Sequence, residues 1–111
     1  MSTVIEVNDH TFKSQVLDSH MVSIVDFWAL WSMPCRIISQ IVEELARKNN
    51  GKIQVCKLNT DTNHVTTSRY KIIRIPSLVF FRNGKEVNRI VGVQLVEVLQ
   101  TELDKILEGN I

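Results

Sequence analysis

Val22-Ser23-Ile24-Val25-Asp26-Phe27-Trp28-Ala29-Leu30-Trp31-Ser32-Met33-Pro34-Cys35 is the stretch from which the rest of the chain can be read. Its first half is almost continuously apolar and rich in β-branched side chains, the composition of a strand covered on both faces. Asp26 interrupts that run, and a carboxylate in a buried strand is expensive unless something offsets it. From Pro34 onward the pattern changes period. Ile37, Ile38, Ile41, Val42, Leu45 and Ala46 recur on one helix face, while Arg36, Ser39, Gln40, Glu43, Glu44 and Arg47 fill the other. Asn49-Asn50-Gly51 then supplies the left-handed conformations that end a helix.

Working outward, Val4 to Val7 alternates as a short strand. Asn8 and Asp9 are candidate caps for a helix carrying Phe12, Val16 and Leu17. Lys52 to Asn59 alternates through Ile53, Val55 and Leu58 as a further central strand, which makes strand, helix, strand a parallel crossover unit. The polar segment Asn59 to Asn63 leads to a short helix around His64 to Tyr70. Ser77 to Arg82 and Lys85 to Val91 flank Asn83-Gly84, the strongest short hairpin signal. After Gly92, the stripe Leu95, Val96, Val98, Leu99, Leu103, Ile106 and Leu107 predicts a last helix. The order β-α-β-α-β-α-β-β-α predicts an α/β fold, a central mixed sheet with helices on both faces, in a single domain over 1–111.

Composition narrows the function classes. With 44% hydrophobic residues in 111, the chain can build one packed core. Thirteen basic against 12 acidic residues provide no electrostatic footprint for nucleic acid or an anionic membrane. The longest apolar runs fall well short of the ~20 residues of a membrane-spanning helix. The polar start Met1-Ser2-Thr3-Val4-Ile5-Glu6 lacks the form of a secretion signal. A chain that is not secreted, in cytoplasm or the interior of an organelle such as a plastid stroma, is the expectation. Two cysteines, Cys35 and Cys56, suit a reducing compartment. His10, His20 and His64 are dispersed, and neither a metal site nor a phosphate-binding loop is expected, so no cofactor is.

Trp31-Ser32-Met33-Pro34-Cys35, taken with Ile75-Pro76-Ser77, resembles the thioredoxin family, whose site reads Trp-Cys-Gly-Pro-Cys. The resemblance runs from about Val4 to Ile106. It rests also on Val25-Asp26-Phe27-Trp28-Ala29, Lys57-Leu58-Asn59, Phe81 through Gly84, and Gly92. It implies that Ser32 replaces the nucleophilic cysteine and that Cys35 stands where the less exposed resolving cysteine stands. It further implies that Asp26 and Lys57 form a buried pair beneath Cys35, which in the family looks like a proton relay; the same two residues also read as a mutually satisfied polar pair. Serine cannot form a disulfide and ionises too weakly to replace a thiolate, so Ser32 reads as the helix N-cap accepting the N–H of Cys35. Cys56 is expected on the opposite sheet face from Lys57, as core, and Trp28 also as core.

By the same resemblance Ile75-Pro76 is a cis bond opposite the motif. Trp31, Met33, Pro34, Arg74, Ile75, Pro76, Gly92 and Val93 line a groove for an extended protein partner. Met33, Arg74, Lys71 and Gln40 stand where the family has smaller residues, glycine or a helix-kinking proline, so a straighter helix and a bulkier, more basic rim are expected. The leading expectation is a redox-inactive protein-binding or assembly module, with a place in a larger complex. The alternative is a thiol-disulfide oxidoreductase, either a monothiol acting through Cys35 or an active-site variant of a normal dithiol reductase.

Overall fold

In the computed structural model, which describes residues 3–109, the strands β1 (Val4–Glu6), β2 (Val22–Trp28), β3 (Ile53–Asn59), β4 (Ser77–Arg82) and β5 (Lys85–Val91) form one sheet. Met1, Ser2, Asn110 and Ile111 lie outside the described residues, and with them the first two residues of the polar start. The strand order is β1-β3-β2-β4-β5. β3 runs parallel to both β1 and β2, while β4 is antiparallel to β2 and to β5. The helices are α1 (Met33–Lys48), α2 (His64–Arg69) and α3 (Val96–Leu107). This is the mixed α/β sheet expected from the alternation of periods.

Two apolar layers explain why β2 has no polar alternation. Val22 and Ile24 join Ile38, Val42 and Leu45 of α1 and Leu99, Leu103 and Ile106 of α3 in one core. Val25 and Phe27 face the other way, into a core with Phe12, Val16, Cys56, Leu58, Val79 and Phe81. Asp26 therefore points to the α1 side, and so does Lys57, its direct neighbour in the β2/β3 register. Cys56 belongs to the opposite layer.

Three local expectations are corrected. The helix after Asn8 is a short π-wound segment, Lys13–Leu17, in which the Asp18 N–H reaches five residues back to the Lys13 carbonyl at 2.9 Å. Asn8 does cap the turn ahead of it, its Oδ1 accepting the His10 and Thr11 N–H groups at 2.9 and 3.0 Å. Asp9 instead caps α2 from a distance in sequence, accepting the N–H of Thr66 at 2.9 Å and of Val65 at 3.3 Å. The apolar stripes are also narrower than predicted, because Ile37 on α1 and Val98 and Leu107 on α3, with Leu95 just before it, are exposed.

The hairpin is as the sequence reads. Asn83 and Gly84 adopt φ of +52° and +78°, both left-handed, which matches a two-residue turn to the twist of its strands. Gly84 has a second reason to lack a side chain, since a Cβ there would lie 2.9 Å from the Leu17 carbonyl oxygen. Gly84→Ala is expected to lose about 2 kcal/mol, from the positive φ and the clash together. Urea denaturation measures it, and an unchanged midpoint would disprove the close approach.

Candidate functional site

The site forms at the carboxyl ends of the parallel strands, where open α/β sheets offer a crevice. Ser77 pairs with Phe27 on one side and Val91 on the other, so Pro76, the end of β2 and Gly92 share that edge. β2 ends at Trp28, and the chain turns through Ala29 to Trp31 into α1.

Ser32 is the N-cap of α1, with extended backbone and its Oγ accepting the Cys35 N–H at 3.3 Å. One free donor of the helix end is thereby satisfied. Cys35 lies one turn in and is only 4% exposed. Trp31, by contrast, is 71% exposed, and Met33 also faces outward. The motif thus divides into an outward apolar rim and an inward sulfur.

Beneath the sulfur the structure differs from a mutually satisfied polar pair. Asp26 is 3% exposed and its Oδ1 has no hydrogen-bond partner. Among the described residues no ion pair joins it to Lys57. The Lys57 ammonium sits instead 5.9 Å from the centre of the Trp28 ring, a cation–π placement. Burial pushes the Asp26 carboxyl up to about 7, with the Lys57 charge pulling the other way. Desolvation wins because a buried carboxylate loses more hydration than one nearby cation returns.

A cavity of about 310 Å³ opens behind Cys35, walled by Asp26, Trp28, Arg36, Ser39, Gln40 and Lys57. Trp28 is therefore a half-buried cavity wall, not core, and its indole Nε1 is buried without a partner. Arg36, Ser39 and Gln40 were readable only as the polar face of α1. The available signal was Gln40, a polar residue at the position where the family has proline. α1 runs unbroken from Met33 to Lys48 past it.

Cys56 takes no part. It is fully buried in the opposite layer, and burial pushes its thiol up to about 12. Cys56 being the only other cysteine, Cys35 has no second thiol on its side of the sheet.

On the rim, the Ile75–Pro76 bond is cis and the Pro76 carbonyl accepts the Gly92 N–H at 2.9 Å, which ties the Gly92-Val93 loop to the cis-proline segment. The backbone N–H and C=O of Ile75 have no partner among the described residues. The hydroxyl of Ser77 donates to the Arg74 carbonyl, while the Arg74 side chain is exposed. Ile73, next to Arg74, is 89% exposed. Lys71 holds a φ of +53°, a conformation that glycine adopts more readily.

The Thioredoxin family model matches residues 3–105. The chain is 44% identical over 105 residues to "Thioredoxin 1" of Nostoc sp., covering 95% of this chain and 98% of the relative. It is 43% identical over 107 residues to "Thioredoxin" of Synechocystis sp., covering 96% of this chain and all of the relative. It is also 40% identical over 102 residues to "Thioredoxin M-type, chloroplastic" of Spinacia oleracea, covering 92% of this chain and 56% of that relative. With the family model matched over most of its length and full-length relatives above 40% identity, the chain belongs to the thioredoxin family.

Proposed function

We propose that this protein exchanges thiol and disulfide with protein clients through one sulfur, Cys35, at the groove between Trp31 and Pro76. The observation that carries the reading is the pairing of that single thiol with Asp26, a carboxyl poised near neutrality in the same cavity. A carboxyl with such a value can take up the thiol proton at ordinary pH. The Cys35 thiolate then attacks a client disulfide and forms a mixed disulfide. Ser32 cannot resolve that bond, so an external thiol must. The unpaired backbone of Ile75 offers strand-like pairing to an extended client, and Trp31, Met33 and Val93 offer apolar contact.

The names of the relatives favour this oxidoreductase reading over the redox-inactive module expected first. The second reading, docking or assembly without thiol turnover, is favoured by one feature, the burial of Cys35 behind an exposed apolar rim. Among the described residues no helix is long and apolar enough to cross a membrane. The cyanobacterial and chloroplast relatives support a setting in cytoplasm or plastid interior.

Affinity capture from native extract with the protein and with Cys35→Ala, eluted by dithiothreitol and then by denaturant, tests the proposal. Clients released by the reductant and missing from the variant are the expected result. Clients held equally by both and released only by denaturant would replace exchange with docking.

A further inference from the structure

On the monothiol reading, on which this inference rests, the resolving thiol must reach Cys35 either through the client groove or from behind the sulfur. The client groove is lined by Trp31, Met33, Ile75 and Pro76, and none of these walls the cavity behind the sulfur. That cavity is small, about 310 Å³, at the lower end of the roughly 300–1,000 Å³ typical of small-molecule sites. It is too narrow for a folded protein and open to a small molecule.

Its chemistry is one-sided. Arg36 and Lys57 bring two positive charges, and Trp28 closes one wall with its indole N–H buried away from the opening. Ser39 and Gln40 add further donors. The one acid, Asp26, is buried, and its Oδ1 is unpartnered.

We propose that this cavity admits a low-molecular-weight thiol carrying a carboxylate, which resolves the mixed disulfide from the face of Cys35 opposite the client. The carboxylate lies near the Arg36 and Lys57 cations. The thiolate of the small molecule attacks Cys35 Sγ, the bond between Cys35 and the client sulfur breaks, and the electron pair leaves with the client sulfur, which is protonated. A disulfide between Cys35 and the small thiol remains. A second molecule of the small thiol attacks its outer sulfur, releasing the small-molecule disulfide and the Cys35 thiol. Two small thiols are oxidised and the client disulfide is reduced. Thiol exchange proceeds with the three sulfurs in line, so a separate entrance behind Cys35 leaves the client in place during attack.

The test uses the whole protein carrying a mixed disulfide between Cys35 and a short uncharged fluorescent cysteine peptide. Its release is timed with 3-mercaptopropionate, an anion, and with cysteamine, a cation. Each rate is divided by that of the same thiol on the peptide's mixed disulfide with free cysteine, which removes intrinsic nucleophilicity. The corrected anion-to-cation ratio is expected to reach about ten, the scale of one charge reversal beside partly screened cations. Arg36→Gln is expected to lower it several-fold. A ratio near one, or one indifferent to Arg36→Gln, would overturn the cavity route while leaving monothiol exchange intact. Failure of Cys35 to form the mixed disulfide at all would remove both.

Discussion

Ser32→Cys is expected to raise protein-disulfide reductase activity, measured with dithiothreitol as electron donor, by about 100-fold or more, because resolution becomes intramolecular. Position 32 caps α1 and position 35 lies one turn inside it, with the Ser32 side chain already within 3.3 Å of the Cys35 N–H. A thiol at position 32 would meet the helix N-terminus, whose free N–H groups favour a thiolate. It would also be the attacking group at the helix end, leaving Cys35 as the resolving sulfur, although Ser32 is itself only 5% exposed. Loss of the serine cap is expected to lower stability by about 1 kcal/mol, a small effect beside the gain. Oxidation should then close a disulfide between the two positions, seen as a loss of two hydrogens in the intact mass. If the variant closes that disulfide yet reduces no protein substrate, the fault lies in the rim. Met33 and Arg74 would then be excluding ordinary clients. If it neither closes nor reduces, the helix end is not built for sulfur chemistry, and the docking reading gains.

The elements that a repeating pattern specifies were legible. β2 follows from an unbroken apolar run, β3 from a period of two, the buried face of α1 from a period of 3.6, and the Asn83-Gly84 turn from turn chemistry. What escaped depends on partners distant in sequence. Asp9 looks like a cap for the residues after it, yet its carboxylate serves α2, more than fifty residues on. Ile37 and Val98 satisfy the helical period but fall at the edge of the face that meets the sheet, so they stay in solvent. The site divides in the same way. Ser32 as cap could be read from a local rule. The cavity could not, because Arg36, Ser39 and Gln40 meet Trp28 and Lys57 only after α1 folds back over β2 and β3. Lys57 was readable as facing Asp26, but not its choice of the Trp28 ring over the carboxylate.

That choice leaves Asp26 as a buried acid that destabilises the fold, and Asp26→Asn should expose the effect. The carboxyl ionises near 3.8 in the unfolded chain and near 7 in the folded one. Between these values the folded state holds a proton that the unfolded state has released, so stability falls as pH rises from about 4 to about 7 and is flat above. Asparagine has no such proton to lose. Its amide leaves about the same buried hydrogen-bonding groups unmet as the protonated acid does, so the two proteins should differ little near pH 4. From about pH 5 to pH 8 the variant's advantage is expected to widen by about 3 kcal/mol, two pH units of linkage at 1.4 kcal/mol each. Urea denaturation at both pH values measures it, and parallel curves would mean that Asp26 is not held neutral by burial. Alkylation of native Cys35 followed across the same range supplies the functional half. If Asp26 takes the thiol proton, the rate should inflect near pH 7 in the native protein and lose that inflection in Asp26→Asn. A stabilised variant that keeps the inflection would show the acid to be a cost without a role in exchange. A stabilised variant that loses it would tie the instability to the chemistry at Cys35, as expected where a fold retains a strained group because activity needs it.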